Sequence, residues 1–324
     1  MKAAVHRVYG PPDVLHIEDV ARPVPRDDEV LIKVHATTVS RSDAALRAGE
    51  PFISRFITGL RRPKRTILGS DVAGEVESVG GEVTEFKVGD RVFGINPWRF
   101  GAHAEFMSMR ASGALATMPA GLPFDEAAAI PDGAILALNA LRPARLHKGQ
   151  SILIYGASGS IGSAAVQLAK FFGAHVTGVC LTPQVEFVHV VGADDVIDSN
   201  ADDFTKNGPV YDAILDAVGN LTFKHCRDAL RSGGVYLATD GLRNIVLSPW
   251  TSVVGNKRVR FPIPPKFTKQ DVVFLKSIVE IGKYRAMIDH RYPLDEVVAA
   301  TRYVEMKHKT GNVVLMVSSE PTTS

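Results

Sequence analysis

The sequence predicts an α/β protein of two domains, a mostly β domain built from both chain ends and a parallel-sheet domain between them. Three observations lead there. Residues 1 to about 120 carry short alternating runs, Glu29 to Val34, Val72 to Val79, Asp90 to Phe93 and His103 to Met107, separated by Gly, Pro and charged turns. From about 124 the texture changes. The stretch FDEAAAIPDGAILALNAL has helical spacing, and β-branched runs then alternate with helical patterns as βαβ units do. After about 262 the pattern is mixed again, with a helix near Lys269 to Ile281 and a strand at Asn312 to Val317 that return the chain to the first domain. The expected division is therefore 1–122 with 263–324, and 123–262.

Composition removes several function classes. A chain of 324 residues has room for two domains and a sizeable core. With 45% hydrophobic and 22% charged residues it is not a disordered chain. A net charge of +2 supplies no overall field for nucleic acid or anionic membrane, so the expected partner is a small molecule. The apolar stretch Ala127 to Leu141 is broken by Pro131, Asp132 and Asn139 and is too short for a membrane span. The opening MKAAVHRVYGPPDV has no apolar or Arg/Ser-rich leader pattern, so the expected compartment is the cytoplasm. Cys180 and Cys226, the two cysteines, build neither a disulfide framework nor a four-thiolate zinc site.

The central strands are SILIY (151 to 155), HVTGV (175 to 179), DVI (195 to 197), YDAILDA (211 to 217) and VYLA (235 to 238). Their nearly continuous apolar character suits a sheet buried on both faces. The first runs into a Gly-rich turn and a helix, in which Ile161, Ala164, Ala165, Leu168, Ala169 and Phe172 form one apolar stripe. Ala157, Gly159 and Gly162 occupy the three glycine positions of G-x-G-x-x-G. Gly159 would admit a pyrophosphate and Gly162 would let helix and strand pack closely, with Ser158, Ser160 and Ile161 presenting the helix N-terminus. GASGS also approaches the nucleophile elbow G-x-S-x-G, but its fifth residue is Ser160, which argues against a hydrolase.

The segments MKAAVHRVYGPPDVLHIEDV, DDEVLIKVHATTVSRSD, GSDVAGEVESVGGEVTEFKVGDRVFG, YGASGSIGSAAVQLAK and KTGNVVL together resemble the zinc-independent quinone oxidoreductase branch of the medium-chain dehydrogenase/reductases, over essentially the whole chain. The resemblance implies a GroES-like β domain formed by both chain ends and a doubly wound Rossmann domain. It also implies a nicotinamide cofactor, NADPH or NADH, reduction of quinones, enones or related carbonyl compounds, and a homodimer. Zinc-dependent relatives place Cys, His and Cys where this chain has Ser40, Ser70 and, by position, Asp132; hydroxyls are poor zinc ligands, so a zinc-free enzyme is expected.

Hydride chemistry without a metal needs groups that polarise the acceptor and supply a proton. By family position the candidates are Ser40, Asp43 and Asp132, with Ser42, Arg41 and Asp71 nearby. Asp43 and Asp71 have a stronger reading as loop caps. Asp132, in the apolar segment AAIPDGAIL, reads equally as a buried proton donor and as a helix N-cap. His103 reads as a strand residue.

The resemblance places Leu181, Thr182 and Ser199 around the adenosine ribose. Gly219, Asp240, Gly241, Pro262 and Ile263 fall alongside the nicotinamide. The CLTPQ run has Leu181 and Pro183 where relatives carry a polar residue and a base, so weak discrimination between NADPH and NADH is expected, unless Thr182, Gln184 or a distant cation restores the phosphate site. Phe52, Ile53, Phe56, Trp98, Phe100 and Trp250 read equally as an aromatic substrate pocket or as packing, and LRRPKR (60 to 65) as a solvated loop. A cofactor-binding sensor with little turnover, and a non-redox cyclase or isomerase, remain as other functions for the same scaffold.

Overall fold

In the computed structural model, residues 1–52, 55–208, 210–241 and 243–317 are described. The chain divides into two compact units, Met1–Asp132 with Phe267–Ser324, and Gly133–Lys266. The sequence reading puts these joints at 122/123 and 262/263. Ten residues move to the first unit chiefly because Phe124, which opens a short helix, stacks on His35 of that unit with ring centroids 4.2 Å apart.

The first unit begins with β1 (Lys2–Val5), β2 (His16–Asp19), β3 (Glu29–Val39), β4 (Asp71–Val79), β5 (Arg91–Ile95), β6 (Phe106–Arg110) and β7 (Leu115–Thr117). Its helices are α1 (Arg41–Ala48), α2 (Arg55–Thr58), α3 (Phe124–Ala128) and α4 (Pro131–Leu141), the last crossing into the second unit. The central strand β3 is buried along most of its length, and Val30, Ile32 and Val34 pack with Val72, Val76, Val92, Met107 and Leu115. The strand expected from His103 begins only at Phe106, because Ala104 makes an isolated bridge to Ala3 and the backbone bends there.

The second unit contains β8 (Ser151–Tyr155), β9 (His175–Cys180), β10 (Asp195–Asp198), β11 (Tyr211–Asp216), β12 (Leu230–Ala238) and β13 (Arg258–Arg260). All five neighbouring pairs are parallel, in the order β10-β9-β8-β11-β12-β13. Helices α5 (Ser160–Phe171), α6 (Val185–Val191), α7 (Phe223–Cys226) and α8 (Arg243–Val253) connect these strands. The strand order reverses between β8 and β11, and in such sheets ligands bind beyond the carboxyl ends of the strands at that switch point. The loops after β8 and β11 meet there, Ala217 N donating to the Tyr155 carbonyl at 3.1 Å.

The chain then returns to the first unit through α9 (Lys269–Glu280), β14 (Ile288–Pro293), α10 (Val297–Glu305) and β15 (Asn312–Met316). Strand β15 lies antiparallel to β3, pairing Val313 with Val39, and parallel to β14, pairing Asn312 with Ile288. Two distant chain segments therefore reach the same sheet end as the β3–α1 turn.

Candidate active site

At that sheet end the first unit gathers Asp43, Asp71, Asp132 and Lys309. Ser40 is the N-cap of α1 and forms a capping box with Asp43: the Ser40 hydroxyl accepts the Asp43 amide at 3.1 Å, and the Asp43 carboxylate accepts the Ser40 amide and hydroxyl at 2.9 and 2.7 Å. The other Asp43 oxygen accepts the Gly69 amide at 3.0 Å. Asp43 is thus a buried structural cap that joins α1 to the approach to β4. Three donors hold its carboxylate and the Ser40 hydroxyl is occupied by it, so neither is placed as a ready proton donor.

Asp71 opens β4 and is 1% exposed. Thr38 donates its hydroxyl to one Asp71 oxygen, and the Asp132 amide donates to the other at 3.0 Å. Asp71 therefore caps the start of α4 from outside the helix. Asp132 itself lies in the first turn of α4 and contributes its amide to that bond.

Burial pushes the Asp71 carboxyl well above the usual carboxylate range, and the Asp132 charge adds to that. Burial also raises Asp132 to about 6, with the Asp43 charge in support and Lys309 opposing. Lys309, just ahead of β15, donates its ammonium to the Gly311 carbonyl. Burial lowers it to about 8 against the pull of Asp132 and Asp289, with Arg41 pushing the same way as burial. Tyr284 is buried beside Asp71, and its phenol is pushed up. The result is a half-buried carboxylate and ammonium that titrate on either side of neutrality, a combination that suits proton transfer.

Lys309 is a candidate site residue that sequence reasoning missed. A lysine ahead of an apolar strand reads as surface, and the β14–β15–β3 pairing places it at this sheet end, where its charge acts on Asp132. His103, in contrast, is a buried packing residue whose Nε2 meets the Thr38 carbonyl at 2.8 Å. Of the residues read equally as an aromatic pocket or as packing, Phe52, Phe56, Trp98 and Trp250 are exposed, Phe100 is half-buried, and Ile53 lies outside the described residues.

In the second unit the Gly-rich turn has the shape a dinucleotide needs. A Cβ on Gly162 would sit 2.0 Å from the Gly156 carbonyl oxygen, so only glycine lets α5 approach β8 this closely. A Cβ on Gly159 would meet nothing nearer than 3.8 Å, leaving open space above the turn. Gly159 caps α5 without a side-chain hydrogen bond, so Ser160, Ile161 and Gly162 present a helix N-terminus that no side chain closes. Ser158 is turned away, its hydroxyl donating to Gln184 Oε1 at 2.8 Å.

Gly219, with φ +79°, packs so closely on Asp240 that a Cβ would be 2.7 Å from the Asp240 Cβ; the loops after β11 and β12 thus come together there. Pro262 and Ile263 lie in the segment between β13 and α9. Leu242, which ends the TDGL stretch, lies outside the described residues.

At the end of β9, Leu181 is partly exposed and Thr182 Oγ1 accepts from Asn200 at 3.0 Å. Ser199 donates its hydroxyl to the Cys180 carbonyl at 3.0 Å. The β9–β10 register sets Asp198 beside Cys180. A carboxylate one strand over was not legible in CLTPQ.

Two family profiles match, an alcohol dehydrogenase GroES-like domain over residues 26–137 and a zinc-binding dehydrogenase domain over 191–315. A 2-methylene-furan-3-one reductase of Solanum lycopersicum is 33% identical, over 97% of this chain and 79% of its own. An NAD(P)H oxidoreductase, RTN4IP1, of Danio rerio is 31% identical, over 99% of this chain and 92% of its own. The solved quinone oxidoreductase of Coxiella burnetii superposes with a TM-score of 0.88 at 29% identity, over 98% and 99% of the two chains. The chain belongs to the zinc-independent quinone oxidoreductase branch of the medium-chain dehydrogenase/reductases. Its two units are that superfamily's GroES-like and Rossmann domains. Ser40 and Ser70 are weak donors, and no group of three His, Cys, Asp or Glu side chains suited to a metal exists among the described residues.

Proposed function

We propose that this protein transfers a hydride from NAD(P)H to a quinone, an enone or a related activated carbonyl compound, without a metal, and that Asp132 with Lys309 supplies the proton. The carrying observation is Asp132, in the first turn of α4 with its amide held by the buried Asp71, at the position where zinc-dependent relatives hold a metal ligand, with the Lys309 charge acting on it. That the protein is an NAD(P)H-dependent oxidoreductase follows from its family, whose members include the quinone and enone reductases named above and an NADPH-dependent alkenal/one oxidoreductase of Arabidopsis thaliana.

When bound, the nicotinamide supplies the hydride. Gly159, Ser160, Ile161 and Gly162 would hold the pyrophosphate at the α5 N-terminus, and Gly219, Asp240 and Gly241 would flank the switch point. Asp132 donates its proton to the reduced acceptor. Lys309 restores that proton and keeps positive charge near the developing enolate, and Asp71 fixes the helix turn that carries Asp132. Ser40 and Asp43 hold the β3–α1 turn in place. The same reading takes the protein as a cytoplasmic homodimer with a small-molecule substrate.

The test is NAD(P)H oxidation with a panel of quinones and enones, followed by absorbance. Turnover with at least one of them, unchanged by EDTA, is expected; no turnover with any, or a loss that added zinc restores, would count against the reading. Cofactor choice is a second expectation. No cation stands in CLTPQ, Thr182 and Ser199 are engaged with their neighbours, and Asp198 places negative charge beside Cys180. NADPH is therefore expected to bind less than about a hundredfold tighter than NADH, a gap below roughly 2.7 kcal/mol. Side-by-side fluorescence titration measures it, and a larger preference would reveal a phosphate-binding cation elsewhere.

A further inference from the structure

We propose that Phe52, Phe56 and Leu60, with the basic run from Arg61 to Arg65, dock the β unit onto an anionic lipid surface. Phe52 and Phe56 are 61% and 66% exposed and meet edge-on, with ring centroids 6.3 Å apart; Leu60 is 53% exposed. Arg55 ties the segment to the rest of the unit, donating to the Gly49 and Ala48 carbonyls at 3.1 and 3.2 Å with its guanidinium over the Tyr9 ring.

Arg61, Arg62, Lys64 and Arg65 follow, all exposed, their side chains without a hydrogen-bond or ion-pair partner among the described residues. Several other exposed arginines of this unit are paired, as Arg7 is with Glu18, Arg22 with Glu77 and Arg291 with Asp125. No Asp or Glu occurs between Glu50 and Asp71, whereas five Lys or Arg do. The rest of the chain is slightly negative, so the small overall charge conceals one concentrated basic site.

Unpaired cations beside exposed aromatic and aliphatic side chains match the two layers of a membrane interface. The cations meet lipid phosphates, and Phe52, Phe56 and Leu60 enter the boundary between headgroups and acyl chains. A soluble polyanion would use the cations and leave the three apolar side chains without a role. The docking requires no spanning segment, and it stands independently of the reductase reading.

The experiment is co-sedimentation of the full chain with vesicles of phosphatidylcholine alone and of an equal mixture of phosphatidylcholine and phosphatidylglycerol. Binding to the mixed vesicles only, weakened by salt at about 0.5 M, is expected. The quadruple variant Arg61→Gln, Arg62→Gln, Lys64→Gln, Arg65→Gln should lower vesicle affinity at least about a hundredfold. The pair Phe52→Ser, Phe56→Ser should lower it at least about tenfold. Circular dichroism and NAD(P)H titration report that each variant remains folded. Absence of binding to the anionic vesicles would overturn the proposal, as would full binding by the quadruple variant. Unchanged binding by the Phe pair, with inorganic polyphosphate displacing the vesicles, would assign the site to a soluble polyanion instead.

Discussion

Asp132→Asn should lower kcat for enone reduction by about a hundredfold or more, the usual worth of a positioned general acid, while cofactor affinity stays within about twofold. The amide keeps the shape and the backbone N–H that Asp71 accepts, so the loss falls on proton transfer. The pH dependence carries the sign. A donor must hold its proton, so the wild-type rate is highest in acid and declines as pH rises past about 6, where Asp132 ionises, and again past about 8, where Lys309 does. The variant should lose the lower step and keep the upper one. An unchanged profile would remove Asp132 from the reaction.

The same substitution should not cost stability. Asp132 titrates at about 6 in the fold against 3.8 when exposed. Its contribution is therefore full below about pH 4 and lost as pH rises through 6. Above that range the ionised carboxylate is a burden only partly offset by Lys309, and Asp132→Asn is expected to gain about 1 kcal/mol at pH 7.5 in urea unfolding. Lower activity with equal or higher stability is the pattern of a group kept for chemistry.

The second large effect separates two glycines of one turn. Gly159→Val should raise the NAD(P)H dissociation constant more than about a hundredfold, because a branched side chain would occupy the open space above the turn. The fold should survive, since a Cβ there meets only the Gly156 carbonyl at 3.8 Å. Gly162→Ala should do the reverse and destabilise the protein by about 2 kcal/mol, because its Cβ would strike the Gly156 carbonyl at 2.0 Å and helix and strand would have to part. Fluorescence titration and thermal unfolding of the two variants test this together. Wild-type cofactor affinity in Gly159→Val would mean that the pyrophosphate lies elsewhere.

Legibility followed sequence distance. The SILIY run is β8 residue for residue, and the S-x-x-D of Ser40 and Asp43 is a local capping pattern. Strand β12 begins at Leu230, earlier than VYLA suggests, because the glycines of LRSGG read as a turn. The cluster of Thr38, Asp71, Asp132 and Lys309 was the least legible part. Its members are far apart in the chain, and the pairing of β15 with β3 decides whether they meet. Asp198 escaped notice for the same reason, since its place beside Cys180 depends on strand register.

The central claim is that the cofactor's hydride and a protein-borne proton add to the same acceptor. The direct measurement is turnover of an enone with NAD(P)H deuterated at the transferable C4 position, in ordinary water, with the product examined by NMR. One deuterium at the β carbon and one solvent-derived hydrogen at the α carbon is the predicted result, at a rate lowered at least about a hundredfold by Asp132→Asn. A product without deuterium, or an unreduced isomer of the substrate, would contradict it.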